Sequence, residues 1–416
     1  MLLMSHATCF SMPIDQNQIK VHKQNFTDIA CNSSTHHCIS IGIAAEEENS
    51  KYLIYLSNND GETWDKIVEL IKPVGETPNT EQGKELGIHC DKALENCILI
   101  GTTYINNNRN IITYHSQDGG MNWSITNLIE LPKRAISEHE TSSIAPDVRF
   151  ACDQNGVNCV IATFTISKHP KPLIYTTKDN GYTWTNPLEI KIANLNPYNE
   201  DFKLTDINCS ISGLNCIFIG NYMTVRIDND ELVADYIQKI FTTEDGGITW
   251  NISEYPISVS SSNTQKTVPD KLLKISCDKL GKKCIAIGSG EEQINKQTQN
   301  EIYREESSIA IPCAYLSVDG GKSWTRTSKI TTEPYISPLV SLSCDSEAES
   351  CIAAGLKGYP EDEDKSDAIA YITYDSGYNW QPLPIQPSEK NSVFTKIFCE
   401  KSSAICHIVG FDEKYF

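Results

Sequence analysis

The sequence predicts an all-β fold: a seven-bladed β-propeller of four-stranded antiparallel blades, each with its own disulfide. Three observations predict it. A cysteine, six other residues and a second cysteine recur seven times: Cys31/Cys38, Cys90/Cys97, Cys152/Cys159, Cys209/Cys216, Cys277/Cys284, Cys344/Cys351 and Cys399/Cys406. Each of the first six pairs is followed by an eight-residue segment ending in Trp, from Ser57–Trp64 to Thr373–Trp380. Between these marks, short apolar runs alternate with turns rich in Asp, Asn and Gly, and no long stretch keeps a helical period. First cysteines lie 59, 62, 57, 68, 67 and 55 residues apart, so the repeat tiles residues 1–416 as a single domain.

The second unit shows the elements in order. Glu85–Cys90 alternates apolar and polar residues, as a half-buried strand does. Cys97–Gly101 is a buried β-branched run, Asn110–Ser116 a third strand and Ser124–Ile129 a fourth. One such sheet cannot cover both of its faces, but neighbouring blades in a ring can. The constant spacer puts each cysteine pair across the hairpin of the first two strands. A disulfide there contributes roughly 2 to 3 kcal/mol by the loop-entropy estimate. Zinc would favour closer knuckles and nearby His, so the pairs read as disulfides and the compartment as oxidising: secreted or periplasmic. Residues 1–7 read as the remnant of an export leader. Asn25, Asn32, Asn122, Asn208 and Asn251 begin glycosylation triplets, which matter only in a eukaryotic source.

The chain carries 35 Lys and Arg against 54 Asp and Glu, a net charge of −19, with six arginines in all. Such a surface repels nucleic acid, and no stretch is apolar for the ~18 residues of a membrane span. A monomer is expected.

The Trp segments resemble the Asp box, or BNR repeat, Ser/Thr-x-Asp-x-Gly-x-Thr/Ser-Trp. Asn59, Asp118, Asp179, Asp245, Asp319 and Asp375 hold the acidic position, and Gly61, Gly120, Gly181, Gly247, Gly321 and Gly377 the glycine. The resemblance implies a structural hairpin between third and fourth strands, away from any active site. It also implies kinship with sialidase-like propellers and with seven-bladed photosystem assembly-factor-like propellers. It stops short of sialidase activity. Sialidases carry an Arg-Ile-Pro segment and an arginine triad, whereas here no Arg precedes Arg109, and the net charge opposes an anionic ligand.

The seventh unit ends at Phe416 without a Trp segment. Phe10–Ile14 resembles Gln381–Ile385, so the N-terminus is expected to close the ring. Residues near 8 to 15 would supply the fourth strand of the last blade and Glu413–Phe416 the third.

Length variation locates the working face. The first-to-second and third-to-fourth turns are constant, whereas all insertions fall in the other two connections, on the opposite, upper face. Examples are Tyr222–Gln238, Ser289–Ile311 and Leu356–Asp367. Variable loops on a rigid scaffold are the usual place for binding. Those loops hold acidic runs such as Glu46–Glu48, Glu291–Glu292 and Glu361–Asp364. Paired carboxylates suit glycoside hydrolysis or Ca²⁺, the one cofactor the pattern admits. The candidate partner site comprises Glu138, His139, Glu140, Arg226, Asp228, Asp230, Arg304, Glu305 and Tyr335. The function expected is an exported, non-enzymatic propeller that binds a protein or glycan through upper-face loops. The alternative is a glycoside hydrolase with a carboxylate pair in the central well.

Overall fold

The computed structural model describes Ile14 and residues 19–44, 51–71, 87–105, 108–131, 147–165, 171–192, 201–228, 231–254, 271–294, 307–331, 339–359, 362–385, 392–400 and 405–412. These residues form seven β-sheet blades in a ring and contain no helix. Six blades are four-stranded antiparallel sheets whose strands follow chain order. Blade two runs Gly87–Cys90, Cys97–Ile105, Asn108–Ser116 and Ser124–Glu130, close to the predicted strands.

The first strands form the inner wall. They are Asp28–Asn32, Gly87–Cys90, Arg149–Cys152, Asp201–Cys209, Lys271–Cys277, Ser341–Cys344 and Ser392–Cys399. Each touches the first strand of the next blade, and that of blade seven touches that of blade one. The apolar residues cluster between blades. Ile41, Ile54 and Tyr52 of blade one pack on Leu99, Ile112 and Tyr114 of blade two. Phe164 and Ile174 of blade three pack on Phe202, Phe218 and Tyr222 of blade four. Each sheet face is thus covered by its neighbour, which removes apolar surface from water on both sides.

All seven predicted disulfides are present: Cys31–Cys38, Cys90–Cys97, Cys152–Cys159, Cys209–Cys216, Cys277–Cys284, Cys344–Cys351 and Cys399–Cys406. Each joins facing residues at the turn end of the first two strands, with Cα atoms 4.0 to 4.1 Å apart. Cys313 is a buried free thiol, and the Arg326 guanidinium lies 2.6 Å from its sulfur. Cys9 lies outside the described residues.

The six Trp turns are built alike, between third and fourth strands. In blade five, Asp319 Oδ1 accepts the Ser323 N–H at 2.9 Å and Ser317 Oγ accepts the Gly321 N–H at 2.8 Å. Trp324 Nε1 donates to the Gly321 carbonyl at 3.0 Å. Each turn also bonds the cysteine turn of its own blade, as Gly320 N–H does to the Lys282 carbonyl. Cysteine turns bond onward from blade to blade: Gln154 to Ile211, Ile211 to Lys279, Lys279 to Ser346. Both constant turns therefore share one face, and backbone bonds link the cysteine turns of blades three to six.

Two expectations need correction. The ring is closed by the N-terminal segment, but the strand is Ile19–Asn25, and it takes the third position of the last blade, beside Cys406–Asp412. It runs parallel to that second strand. The direction follows from the chain: only Phe26 and Thr27 separate it from Asp28–Asn32, so it must arrive at the upper end where every first strand starts. Residues 8–13 and Glu413–Phe416 lie outside the described residues. Ile14 is buried between blades six and seven, beside Leu383 and Phe394. Second, among the described residues two of the insertions are strand rather than loop. Cys216–Asp228 and Glu231–Thr243 form one continuous hairpin, paired from Cys216↔Thr243 to Asp228↔Glu231. Leu356–Asp367 likewise extends the second and third strands of blade six.

Candidate functional site

The inner strands enclose a central channel with a cavity of about 340 Å³. In a strand every second side chain shares a face, so two residues per first strand meet the channel. Counting back from the first cysteine, the upper level of the cavity lining is Asp28, Asp206, Lys274, Ser341 and Lys396, with Gly87 and Arg149 at the matching strand positions outside the lining. The lower level is Ala30, His89, Ala151, Asn208, Ser276, Ser343 and Phe398. The upper lining holds two ammonium groups against two carboxylates, in a chain whose net charge is −19.

Backbone geometry aims three of these groups. The first-strand register slips between Leu204 and Asp206, between Leu272 and Lys274, and between Phe394 and Lys396. A bulge inserts one residue and redirects the next side chain. The partner second strand answers with glycine: Gly220 opposite Leu204, Gly288 opposite Leu272, Gly410 opposite Phe394. A Cβ on Gly288 would stand 1.9 Å from the Lys271 carbonyl oxygen.

Most polar wall groups are committed to the neighbouring blade. Inner strands splay too far apart to share a backbone ladder, so their amides need side-chain acceptors. Asp28 Oδ2 accepts the Ile88 N–H at 3.1 Å, and Asp206 Oδ2 the Ile275 N–H at 2.9 Å. Ser341 Oγ accepts from Ile397, Asn208 Oδ1 from Cys277, Ser276 Oγ from Cys344 and Ser343 Oγ from Cys399. Asp28 Oδ1 also takes its neighbour's amide, Ile29 N–H, at 2.9 Å. Arg149 donates through Nε to the Thr205 carbonyl at 3.3 Å and through Nη1 to the Val148 carbonyl at 3.0 Å.

The lysines are placed differently. Lys274 Nζ lies 3.8 Å from Asp206 Oδ1, and Lys396 Nζ lies 3.7 Å from Asp28 Oδ1. Burial pushes the Lys274 ammonium below its usual range; Asp206 opposes this, while Arg149 and Lys396 add to it. Burial likewise lowers His89, against Asp153, Asp28 and Asp91.

Below the wall, the residue after the first cysteine caps its own turn. Asp153 Oδ1 accepts the Asn155 and Val157 N–H groups, and Asp345 Oδ1 those of Glu347 and Glu349. In blade seven Glu400 instead reaches blade one, accepting Ser33 N–H and Oγ–H, both at 2.6 Å. The same lower turns line the cavity, through Asn32, Asp91, Gln154, Ser210 and Glu400.

Of the residues singled out from sequence, Arg226 and Asp228 lie on the extended hairpin of blade four, paired with Val233 and Glu231. Glu138, His139, Glu140, Asp230, Arg304, Glu305 and Tyr335 lie outside the described residues, as do Glu46–Glu48. Asn59, Asp118, Asp179, Asp245, Asp319 and Asp375 sit in the constant turns of the lower face. Sequence reasoning passed over the channel wall. Its signal was present: Asp28, Arg149, Asp206, Lys274 and Lys396 all stand three places before a first cysteine, and glycine stands four places after the second cysteine in six of seven units. Cys31, Cys38 and His407 come within ligand distance of one another, but the two sulfurs share one disulfide and offer no thiolate.

No family model matches the chain, and no curated protein matches it. Solved structures do resemble it in fold. A polysaccharide lyase of family PL25, an ulvan lyase, aligns with TM-score 0.54 at 8% identity, over 93% of this chain and 87% of that one. An α-L-arabinofuranosidase from Fusarium graminearum aligns with TM-score 0.47 at 11% identity, over 85% and 93%. A Hadza microbial sialidase gives TM-score 0.42 at 13% identity, over 88% and 73%.

Proposed function

We propose that this protein is an exported, glycan-directed propeller that admits a sugar chain to the upper mouth of its central channel. One observation carries the reading: the channel wall under the variable face is polar and charged. Sugar hydroxyls both donate and accept, so a wall offering carboxylates, hydroxyls and ammonium groups suits them. Seven disulfides suit an oxidising compartment. The fold is also that of a polysaccharide lyase, which agrees with a glycan partner.

Glycan cleavage is the form of this reading we favour, with Asp206 as the wall carboxylate to test first. Its Oδ2 holds an amide, while its Oδ1 faces the Lys274 ammonium without closing to hydrogen-bond distance. Recognition without cleavage is the second reading, and Asp28 favours it, since both of its oxygens are taken by amides. Purified oxidised protein incubated with a panel of neutral and acidic polysaccharides separates the two. New reducing ends or unsaturated sugar ends that vanish in Asp206→Asn support cleavage. Binding on a glycan array without products supports recognition. Silence in both assays overturns the glycan reading.

A further inference from the structure

The channel wall has a requirement and an excess. The requirement is acceptors, because inner-strand amides bond across to the next blade. Asp28, Asp206, Ser341, Asn208, Ser276 and Ser343 meet it. The excess is Lys274 and Lys396. An ammonium has three donors and no acceptor, so neither lysine can staple an amide. Each sits in an ion pair with one aspartate, which balances its charge but leaves its N–H donors directed at no acceptor within hydrogen-bond reach of that aspartate. The two ammonium groups stop at 3.8 and 3.7 Å from Asp206 and Asp28, beyond hydrogen-bond distance.

Their placement is consistent from blade to blade. Lys274 and Lys396 stand on blades five and seven, either side of Ser341, at one level of the wall. Each directly follows a bulge in its strand. Both line the same cavity, and their side chains remain 28% and 47% exposed to it. Arg149 stands on the same level, two blades before Lys274. Arg149 and Lys396 disfavour the Lys274 charge and Asp206 only partly offsets burial, so a further anion at the arc would favour it.

We propose that the Lys274–Ser341–Lys396 arc is an anion subsite that holds the carboxylate or sulfate ester of an acidic sugar residue. This rests on the glycan reading above and narrows it to acidic glycans. The net charge of the chain argued against an anionic ligand, and the cavity as a whole is lined by four carboxylates against three lysines, but the arc itself presents two ammonium groups as donors. Two ammonium donors flanking a hydroxyl can share the oxygens of one such group through charge-assisted hydrogen bonds. Neutral stretches of the same sugar chain would meet the remaining hydroxyl and carboxylate groups of the wall.

Titration calorimetry with three probes tests this: an oligogalacturonate, its methyl-esterified neutral form, and inorganic sulfate. The oligogalacturonate should bind more tightly than the neutral form, and its affinity should weaken as salt rises. The Lys274→Gln/Lys396→Gln double variant should lose about tenfold or more of that affinity, as removal of charged donors does. A Lys274→Arg/Lys396→Arg variant keeps the charge and should bind, which separates loss of charge from loss of fold. Binding should also raise the Lys274 titration midpoint, followed by NMR of the lysine side chains. Equal affinity for the acidic and neutral forms, or an unchanged glutamine variant, overturns the anion subsite and leaves the glycan reading standing. Sulfate binding with both oligosaccharides silent overturns the glycan reading along with it.

Discussion

Gly288→Ala is the most direct probe of the bulged wall. Gly288 lies in the second strand of blade five, opposite Leu272, where the first strand slips register before Lys274. A Cβ there would stand 1.9 Å from the Lys271 carbonyl oxygen, 2.8 Å from its carbon and 3.1 Å from the Leu272 Cα. All three atoms are backbone, so no side chain can swing away. Ordinary carbon–oxygen contacts need about 3.3 Å, so the strands must part by more than an ångström. Overpacking of this kind costs about 1 to 3 kcal/mol, and two strained ladder bonds add about 1 kcal/mol each, for roughly 3 to 5 kcal/mol in all. Gly377→Ala is the control. Its Cβ would find nothing nearer than 3.5 Å, but its φ is +85°. The left-handed penalty alone is about 1 to 2 kcal/mol. The assay is urea unfolding under non-reducing conditions, followed by the fluorescence of the six tryptophans. Gly288→Ala should unfold at clearly lower urea than Gly377→Ala. Equal midpoints would refute the idea that the close approach of strands, rather than φ, demands the glycine.

Other perturbations read other parts of the ring. Replacing Cys277 and Cys284 together by Ser opens an eight-residue loop and should cost about 2.5 kcal/mol by the loop-entropy estimate; a change under half of that in the same urea assay would contradict it. Deleting residues 1–25 removes the strand beside Cys406–Asp412 and should lower the melting temperature, whereas an unchanged melt would place the closure elsewhere. Burial pushes Asp319 up, but hydrogen bonds from Ser323 and Ser317 outweigh it and hold the carboxyl below its usual range. A folded value below the unfolded one contributes stability above about pH 4 that is lost as pH falls through the folded value. Thermal melts should therefore decline more gently below that pH in Asp319→Asn than in the parent, and parallel curves would sink the assignment.

The architecture was legible because its marks are local. A constant cysteine spacer and a constant Trp turn each specify one hairpin, and hairpins repeated in phase specify blades. What was not legible depends on contacts far apart in the chain. Nothing in Lys20 or His22 announces that Ile19–Asn25 pairs with residues nearly four hundred positions away. Phe10–Ile14 looked like a fourth strand because it shares Pro and Ile with Gln381–Ile385, whereas two-residue linkage to Asp28 fixes the direction of the strand that follows it. The insertion around Arg226 is paired strand, from Tyr222↔Ile237 to Asp228↔Glu231, and the alternation of Met223, Val225 and Ile227 with Thr224, Arg226 and Asp228 was its signal in the sequence.

The channel wall was missed for a related reason. Asp28, Asp206, Lys274 and Lys396 are charged residues with apolar neighbours in the strand, and each by itself reads as the wet side of an amphipathic strand. Only their shared offset from the cysteines puts them on one ring. Polarity in that ring then has two sources that must be kept apart. Acceptors are dictated by the fold, because splayed inner strands leave amides to be satisfied, and Asp28 and Ser341 would be needed in a propeller that bound nothing. Donors are not dictated by it. Removing Ser341 should therefore destabilise the ring, whereas replacing Lys396, 47% exposed and bonded to no amide, by Gln should leave stability nearly unchanged, within about 0.5 kcal/mol. Urea midpoints of Ser341→Ala and Lys396→Gln measured side by side decide it: a lysine variant as unstable as the serine variant would make the ammonium part of the scaffold and remove the ground for reading it as a ligand group.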